Sequence, residues 1–323
     1  MKAIRINQQG AVDVMQYVDY QLPALQPSEV RIRHEAIGVN FIDTYHRSGL
    51  YPLRLPSGIG MEAAGVVEAV GSDVKQLVIG DHVGYCSAAI GAYAQANNVP
   101  AARVVKLPAG VSSEAAAAVM LKGLTVQYLF RQTYVLKAGE TMLFHAAAGG
   151  CGLIACAWAK HLGVRMIGTA SSAEKMALAQ QHGAAEVINY KTDDVPAKVR
   201  ALTNGRGVPV VYDGVGKDTF VMSLDCLAPR GLLVSFGNAS GPVTGVDLGI
   251  LSAKGSLYIT RPTLATYAAG TEQLQAMADE LWALVASGVI KADISARYAL
   301  ADAASAHRDL QGRATTGSMV LVP

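Results

Sequence analysis

Residues 141–163 read TMLFHAAAGGCGLIACAWAKHLG. Residues 141–146 are a short apolar run of the kind that makes a strand buried on both faces. Residues 147–152 are a turn of small residues. Residues 153–162 then repeat apolar side chains at helical spacing, up to a stop at Gly163. Strand, glycine turn and helix in that order open a dinucleotide-binding unit. The turn runs Ala147-Ala148-Gly149-Gly150-Cys151-Gly152, so Ala147 takes the place of the first glycine in G-x-G-x-x-G. The physical requirement survives this change. Gly149 and Gly150 let backbone approach a pyrophosphate, Gly152 lets helix sit close on strand, and the helix N-terminus offers N–H groups to the anion. Taken alone, the same turn also fits a βα connection that binds nothing.

The residues downstream favour the first reading. Strand-like runs at 164–169, 186–190, 208–213, 232–236 and 256–260 alternate with helical patterns at 173–182, 194–202 and 218–227. With the first strand this makes the six strands of a doubly wound sheet. Upstream, residues 1 to about 110 carry short, mostly alternating runs at 1–6, 14–20, 29–40, 65–70 and 81–86, the spacing of a small barrel or sandwich. A short helix is expected over 41–48, ended by Gly49, and Ser112-Ser113-Glu114 caps an alanine-rich helix. After Pro262 come a long amphipathic helix (271–287) and strands at 298–300 and 318–322 that do not extend the sheet. They are expected to return to the first domain. The nucleotide domain, 125–263, is then an insertion in a domain built from 1–124 and 264–323.

Composition narrows the classes. A chain of 323 residues suggests two domains, and 51% hydrophobic with 16% charged residues is globular. A net charge of +2 with no basic block argues against nucleic acid or an anionic membrane as partner. There is no run of about 18 apolar residues to span a bilayer, and the N-terminus lacks a signal peptide's apolar core. Cys86, Cys151, Cys156 and Cys226 are scattered without a C-x-x-C pair. A reduced, cytoplasmic protein is expected.

The end of the second strand selects the cofactor. An NAD site places a carboxylate there, about 20 residues past the glycines, on the ribose 2′-hydroxyl. Here the strand runs into Ala170-Ser171-Ser172, and Glu174 and Lys175 fall in the first turn of the next helix. Hydroxyls and a lysine suit a 2′-phosphate, hence NADPH. The plainer alternative makes Ser171 and Ser172 helix caps and leaves Lys175 in solvent.

Several stretches together resemble a known family. They are Gly38-Val39-Asn40-Phe41-Ile42-Asp43-Thr44-Tyr45, Arg47-Ser48-Gly49-Leu50-Tyr51-Pro52, Glu62-Ala63-Ala64-Gly65, Leu121-Lys122-Gly123-Leu124-Thr125, Phe144-His145-Ala146-Ala147-Ala148-Gly149-Gly150 and Val234-Ser235-Phe236-Gly237-Asn238. Over essentially its whole length the chain resembles the zinc-free quinone oxidoreductase (ζ-crystallin-like) branch of the medium-chain dehydrogenase/reductase family. The stretches at 50–52 and 235–238 are similar to the bacterial members in particular. The resemblance implies an α/β fold, a doubly wound Rossmann sheet inserted into a GroES-like β-barrel domain, with substrate in the cleft between them. Zinc alcohol dehydrogenases of the family use a cysteine and then Gly-His-Glu. This chain has Asn40 near the first position and Gly60-Met61-Glu62 at the second. An amide and a thioether do not replace thiolate and imidazole around Zn²⁺, so no metal is expected.

Without a Lewis acid, alcohol oxidation is disfavoured, whereas an electron-poor quinone accepts hydride directly. The resemblance implies NADPH-dependent quinone reduction. A polar donor to the quinone oxygen would help as charge develops there, and Asn40, Tyr45 and Tyr51 are the candidates; for the tyrosines, packing alone is the alternative. Around NADPH the resemblance places Tyr128, Gly150, Cys151, Lys175, Tyr190, Phe236, Asn238 and Arg313, and Asn40, Ile42, Gly149, Ser171 and Ser172 complete the expected set. Ser171 stands where some relatives have glycine. Tyr190 also reads as an ordinary strand-end tyrosine, Arg313 as a surface arginine in a turn, and His145 as a satisfied core histidine. A competing activity is reduction of an enone or alkenal double bond; a crystallin-like or RNA-binding role is a distant third. Relatives pair the sixth strands of two copies, so a homodimer through residues 257–260 is expected.

Overall fold

The computed structural model describes residues 1–313 and 315–323. The chain opens with β1 (Lys2–Ile6), β2 (Gln16–Asp19) and the long β3 (Glu29–Val39), which leads into α1 (Phe41–Ser48). Then come β4 (Ser57–Gly58), β5 (Glu62–Val70), β6 (His82–Cys86), β7 (Ala96–Pro100), β8 (Val104–Lys106) and α2 (Ser113–Tyr128). The glycine-turn region supplies β9 (Thr141–Phe144), α3 (Gly150–His161), β10 (Arg165–Ala170), α4 (Ala173–His182), β11 (Glu186–Asn189) and α5 (Val195–Leu202). It continues through β12 (Val208–Asp213), α6 (Phe220–Cys226), β13 (Leu227–Ser235), α7 (Gly249–Ala253), β14 (Tyr258–Thr260) and α8 (Leu264–Tyr267). The last stretch holds α9 (Thr271–Ala286), β15 (Ile294–Ala299), α10 (Ala303–Gln311) and β16 (Ser318–Val322).

Two compact units result: Met1–Leu124 with Ala268–Pro323, and Thr125–Tyr267. The chain returns to the first unit at Ala268 rather than at 264. The Tyr267 ring stacks on Tyr128, 4.8 Å between centroids and 13° between planes, and keeps α8 with the inserted unit.

The inserted unit is a six-stranded sheet in the order β11-β10-β9-β12-β13-β14, every pair parallel. This is the doubly wound order, with its switch point between β9 and β12. Leu143, Ile167, Val211, Leu224 and Leu233 are fully buried in its core, which explains why these strands read as apolar runs rather than alternations. The other unit carries a sheet in the order β15-β16-β3-β5-β6-β8, with β7 also on β3, and a smaller β2-β1-β4 sheet. Ile4, Ile32, Ile37, Val83, Tyr85 and Tyr93 fill its core. It is the GroES-like domain, and the inserted unit the Rossmann domain.

Several expected boundaries move. The first strand of the insertion stops at Phe144, and Ala146 turns the chain with φ +55°. The helix after the glycine turn starts at Gly150, three residues ahead of the expected 153. The strand expected over 14–20 starts at Gln16 because Val12–Val14 wind into a 3-10 turn. The strand expected at 298–300 is β15, which begins at Ile294 and gives way to a 3-10 turn at Leu300. The short β4, β7 and β8 and the helix α10 had no sequence expectation. Among the described residues no helix is long and apolar enough to cross a membrane, and no disulfide joins the four cysteines.

Candidate functional site

In the inserted unit the glycine turn sits at the carboxyl end of β9. A Cβ on Gly152 would lie 2.4 Å from the Ala146 carbonyl oxygen and 2.5 Å from the Ala147 carbonyl, all backbone. Only glycine lets α3 start this close to β9. On Gly149 the same atom would meet only the Ala146 oxygen, at 3.3 Å. Gly149 is the extended N-cap of α3, so the first-turn N–H groups at Gly150 and Cys151 have no acceptor within the helix. Cys151 is half-buried.

A buried polar chain locks this end of the sheet. Thr169 Oγ1 lies 3.0 Å from His145 Nδ1, His145 Nε2 lies 3.0 Å from Ser223 Oγ, and the Ser223 hydroxyl donates to Asp213 Oδ2 at 2.8 Å. Since Ser223 gives its proton to Asp213, His145 must donate from Nε2, and the Thr169 hydroxyl donates to Nδ1. That is the neutral imidazole, and burial holds the His145 pKa below its usual value against the opposing pull of Asp213. His145 is therefore a satisfied core histidine. Asp213 Oδ1 also accepts the N–H groups of Val215 (2.8 Å) and Gly216 (3.0 Å). The turn it shapes packs on residues 236–241: the Ala239 N–H donates to the Gly214 oxygen and the Ser240 N–H to the Val215 oxygen.

The expected cofactor residues at 149–151, 171–175, 190 and 236–238 follow the carboxyl ends of the parallel strands β9, β10, β11 and β13. Phe236 and Asn238, both half-buried, follow β13, and the Phe236 ring lies 5.7 Å from that of Phe144. Ser171, Ser172 and Lys175 follow β10. Ser172 takes the plainer role of N-cap, accepting the Lys175 N–H at 3.3 Å. Its hydroxyl also holds the exposed Glu174 carboxyl below its usual pKa. Tyr190 follows β11 and is partly packed against the core of the unit. Tyr128 is buried against Tyr267.

In the GroES-like unit, Asn40 is the extended N-cap of α1, and its N–H donates to Asp43 Oδ2 at 2.9 Å. Gly49 ends the helix in the left-handed conformation, φ +93°. The turn brings the Tyr51 N–H back to the Tyr45 oxygen at 3.1 Å and sets the two rings edge to face, 5.2 Å apart. Asn40, Ile42, Tyr45 and Tyr51 thus share one short segment. Tyr45 is buried, while Ile42 and Tyr51 are half-exposed. Arg313 stands just past α10 with φ +56° and is exposed. The residue after it lies outside the described residues.

Behind Asn40 is a charged cluster that sequence reasoning did not assemble. Glu62 on β5 is 1% exposed. Its Oε2 accepts Asn40 Nδ2 at 2.8 Å, its Oε1 accepts the Leu121 N–H at 2.6 Å, and the Lys122 ammonium lies 3.8 Å from Oε2. Gly38 on β3 makes room, since a Cβ there would fall 2.2 Å from Glu62 Oε2. Burial pushes the Glu62 carboxyl up, and Lys122 is the first of the groups pulling it back. Asp43, fully buried, is raised to about 7 by desolvation, against hydrogen bonds from the Asn40 N–H and Tyr93. The Tyr93 hydroxyl in turn lies 3.0 Å from His307 Nε2 on α10. The available signal was Lys122 itself, a lone charge in the apolar helix 115–128.

This cluster does not fit zinc. Asn40 offers only a neutral amide with one Nδ2 hydrogen on Glu62, and a resident ammonium beside that carboxyl repels a dication. Among the described residues no three His, Cys, Asp or Glu side chains gather as a metal site.

Residues 26–109 match the family model "Alcohol dehydrogenase GroES-like domain", and residues 150–286 match "Zinc-binding dehydrogenase". The second description names a metal that the donors here do not suit. The chain is 60% identical to a quinone oxidoreductase of Pseudomonas aeruginosa, over 100% of this chain and 99% of that one. The crystal structure of Escherichia coli quinone oxidoreductase complexed with NADPH superposes with a TM-score of 0.99 at 52% identity, covering 100% of both chains. A 2-haloacrylate reductase of a Burkholderia species is 43% identical over 98% of each chain. By its two domains, its metal-unfit cluster and identity across its whole length, the chain belongs to the quinone oxidoreductase branch of the medium-chain dehydrogenase/reductase family.

Proposed function

We propose that this protein is an NADPH:quinone oxidoreductase that works without a metal. The observation that carries the reading is the end of β10, where residues 170–172 hold no carboxylate, Ser172 caps α4, and Ser171 and Lys175 flank that cap. The rest of the set fits the same cofactor. The α3 N-terminus receives the pyrophosphate, and Gly149 leaves its backbone open to it. Ser171 and Lys175 take the 2′-phosphate. Tyr190, Phe236, Asn238 and Arg313 contribute further contacts, with Tyr128 and Ile42 at the edge of the set. NADPH supplies the hydride. Asn40, Tyr45 and Tyr51 orient the quinone and polarise its oxygen.

A charge-assisted hydrogen bond contributes roughly 1.5–3 kcal/mol. Lys175→Ala is therefore expected to weaken NADPH by about 10- to 100-fold, measured by fluorescence titration, and to leave NADH nearly unchanged. Equal losses for both cofactors would remove Lys175 from the phosphate site.

The function itself is tested by initial rates with a quinone and an enone side by side, each under NADPH and NADH. Quinone under NADPH is expected to be fastest. The likeness to 2-haloacrylate reductase supports the enone as the second reading, and a higher kcat/KM for the enone would install it.

The working unit is read as a homodimer. β14 is the outer strand of its sheet, with Tyr258 62% exposed, and an unpaired edge of this kind favours a second copy. The expected setting is the cytoplasm, where buried thiols such as Cys86, Cys156 and Cys226 stay reduced.

A further inference from the structure

We propose that Lys122 is a positioning residue for quinone reduction: through Glu62, its buried ammonium fixes the side-chain amide of Asn40. The proposal rests on the reading of Asn40 as a group that meets the quinone. It adds what makes that amide hold still.

The geometry supports a directed chain. Lys122 is 8% exposed at its side chain, and among the described residues its Nζ has no hydrogen-bond acceptor, only the Glu62 carboxyl at 3.8 Å. A buried ammonium left this way is costly and survives when it does something for its neighbours. Its neighbours are two buried carboxyls, Glu62 and Asp43, and it favours the ionised form of both. An ionised Glu62 accepts only. Both its oxygens are then engaged, one by the Leu121 N–H and one by Asn40 Nδ2. With Nδ2 committed, the flip of the Asn40 amide is fixed and its carbonyl direction is set. A second hydrogen bond, Asn40 N–H to Asp43, fixes the same residue at its backbone.

Loss of the ammonium leaves burial at Glu62 opposed only by the hydrogen bonds from the Leu121 N–H and Asn40 Nδ2, and shifts its carboxyl toward the protonated form. A protonated carboxyl becomes a donor and releases or flips Asn40. Raising the pH removes that proton and restores the acceptor. The groups that face Glu62 electrostatically are Asp43 on α1, Cys86 on β6 and Tyr93 just before β7, both pushed up by burial, and Lys122 on α2. Asp43, raised to about 7 by burial, also feels Glu62 and Lys122, so the diagnostic limb is one that Glu62→Gln abolishes.

The test uses the full-length protein. Lys122→Met is expected to lower kcat at pH 7 by about tenfold, with the NADPH Kd from fluorescence changed less than about twofold. Its kcat should rise with pH where the wild type is flatter, and Lys122→Arg should restore most of kcat and remove the rise. In the double variant Glu62→Gln with Lys122→Met, the rise should vanish and the loss should not exceed that of Glu62→Gln alone. If Lys122→Met does not fold, the double variant, neutral at both partners, carries the test by that same comparison. A Lys122→Met enzyme with wild-type kcat and pH profile overturns the proposal, as does a pH-independent loss additive with Glu62→Gln. A wild type that fails to reduce quinones would overturn the functional reading instead.

Discussion

Gly152→Ala is expected to lower the thermal midpoint by about 6–12 °C and to weaken NADPH by at least tenfold. Inserting a methyl into packed structure costs typically 1–3 kcal/mol, and here nothing can yield cheaply. The obstructing atoms are the Ala146 and Ala147 carbonyl groups, at 2.4–2.5 Å, and both belong to the turn that leads from β9 into α3. A loss near the top of that range, about 3 kcal/mol, gives this midpoint shift for a unit of this size. Relief requires α3 to slide outward, which moves the helix N-terminus off the anion position. Gly149→Ala is the control. Its Cβ meets only one backbone oxygen at 3.3 Å, so the fold should hold while NADPH binding falls. Gly152→Ala melting like the wild type would mean the third fingerprint glycine is dispensable here.

Asp213→Ala is expected to cost about 4 kcal/mol, or about 8–16 °C in midpoint, because it strips the acceptor from the Val215 and Gly216 N–H groups. The hydroxyls of Thr219 and Ser223 also lose their partner, but they can rotate to others; Thr219 already reaches the Gly216 oxygen. The backbone amides cannot turn away. Since this turn carries residues 236–241, NADPH affinity should fall with it. Asp213→Asn keeps one carbonyl oxygen for the amides and should lose less than half as much. Equal losses for the two variants would show that the side chain is not the organiser of the turn.

Asp213 was legible only as the last residue of a strand, which marks the limit of the sequence reading. The parallel sheet was readable because its strands are continuous apolar runs bounded by helices, and α4, β12 and β16 fall on the expected residues. The barrel was harder. β7 is Ala-Asn-Asn-Val-Pro, poor strand material, and it exists because β3 offers it a ladder from Glu29 to Arg33. α10 has alanines and His307 for its buried face, too weak an apolar stripe to announce a helix. In the site, the segment 40–51 could be read because Asn40, Tyr45 and Tyr51 are close in sequence. The partners of Asn40 could not: Glu62 and Lys122 are brought together only when β3, β5 and α2 pack, and the opening at Gly38 that admits the Glu62 carboxyl depends on that packing. Ser172 was read as a phosphate contact with a cap as the alternative, and the cap is what the geometry makes it.

The central claim is that a phosphorylated nicotinamide reduces a quinone on this protein with no metal taking part. The most direct test is the initial rate with one quinone under NADPH and under NADH, before and after exhaustive treatment with a chelator. The account predicts one NADPH consumed per quinone reduced, a kcat/KM for NADPH at least tenfold above NADH, and no change on chelation. An equal or higher kcat/KM for NADH, or activity lost to the chelator and restored by zinc, would contradict it.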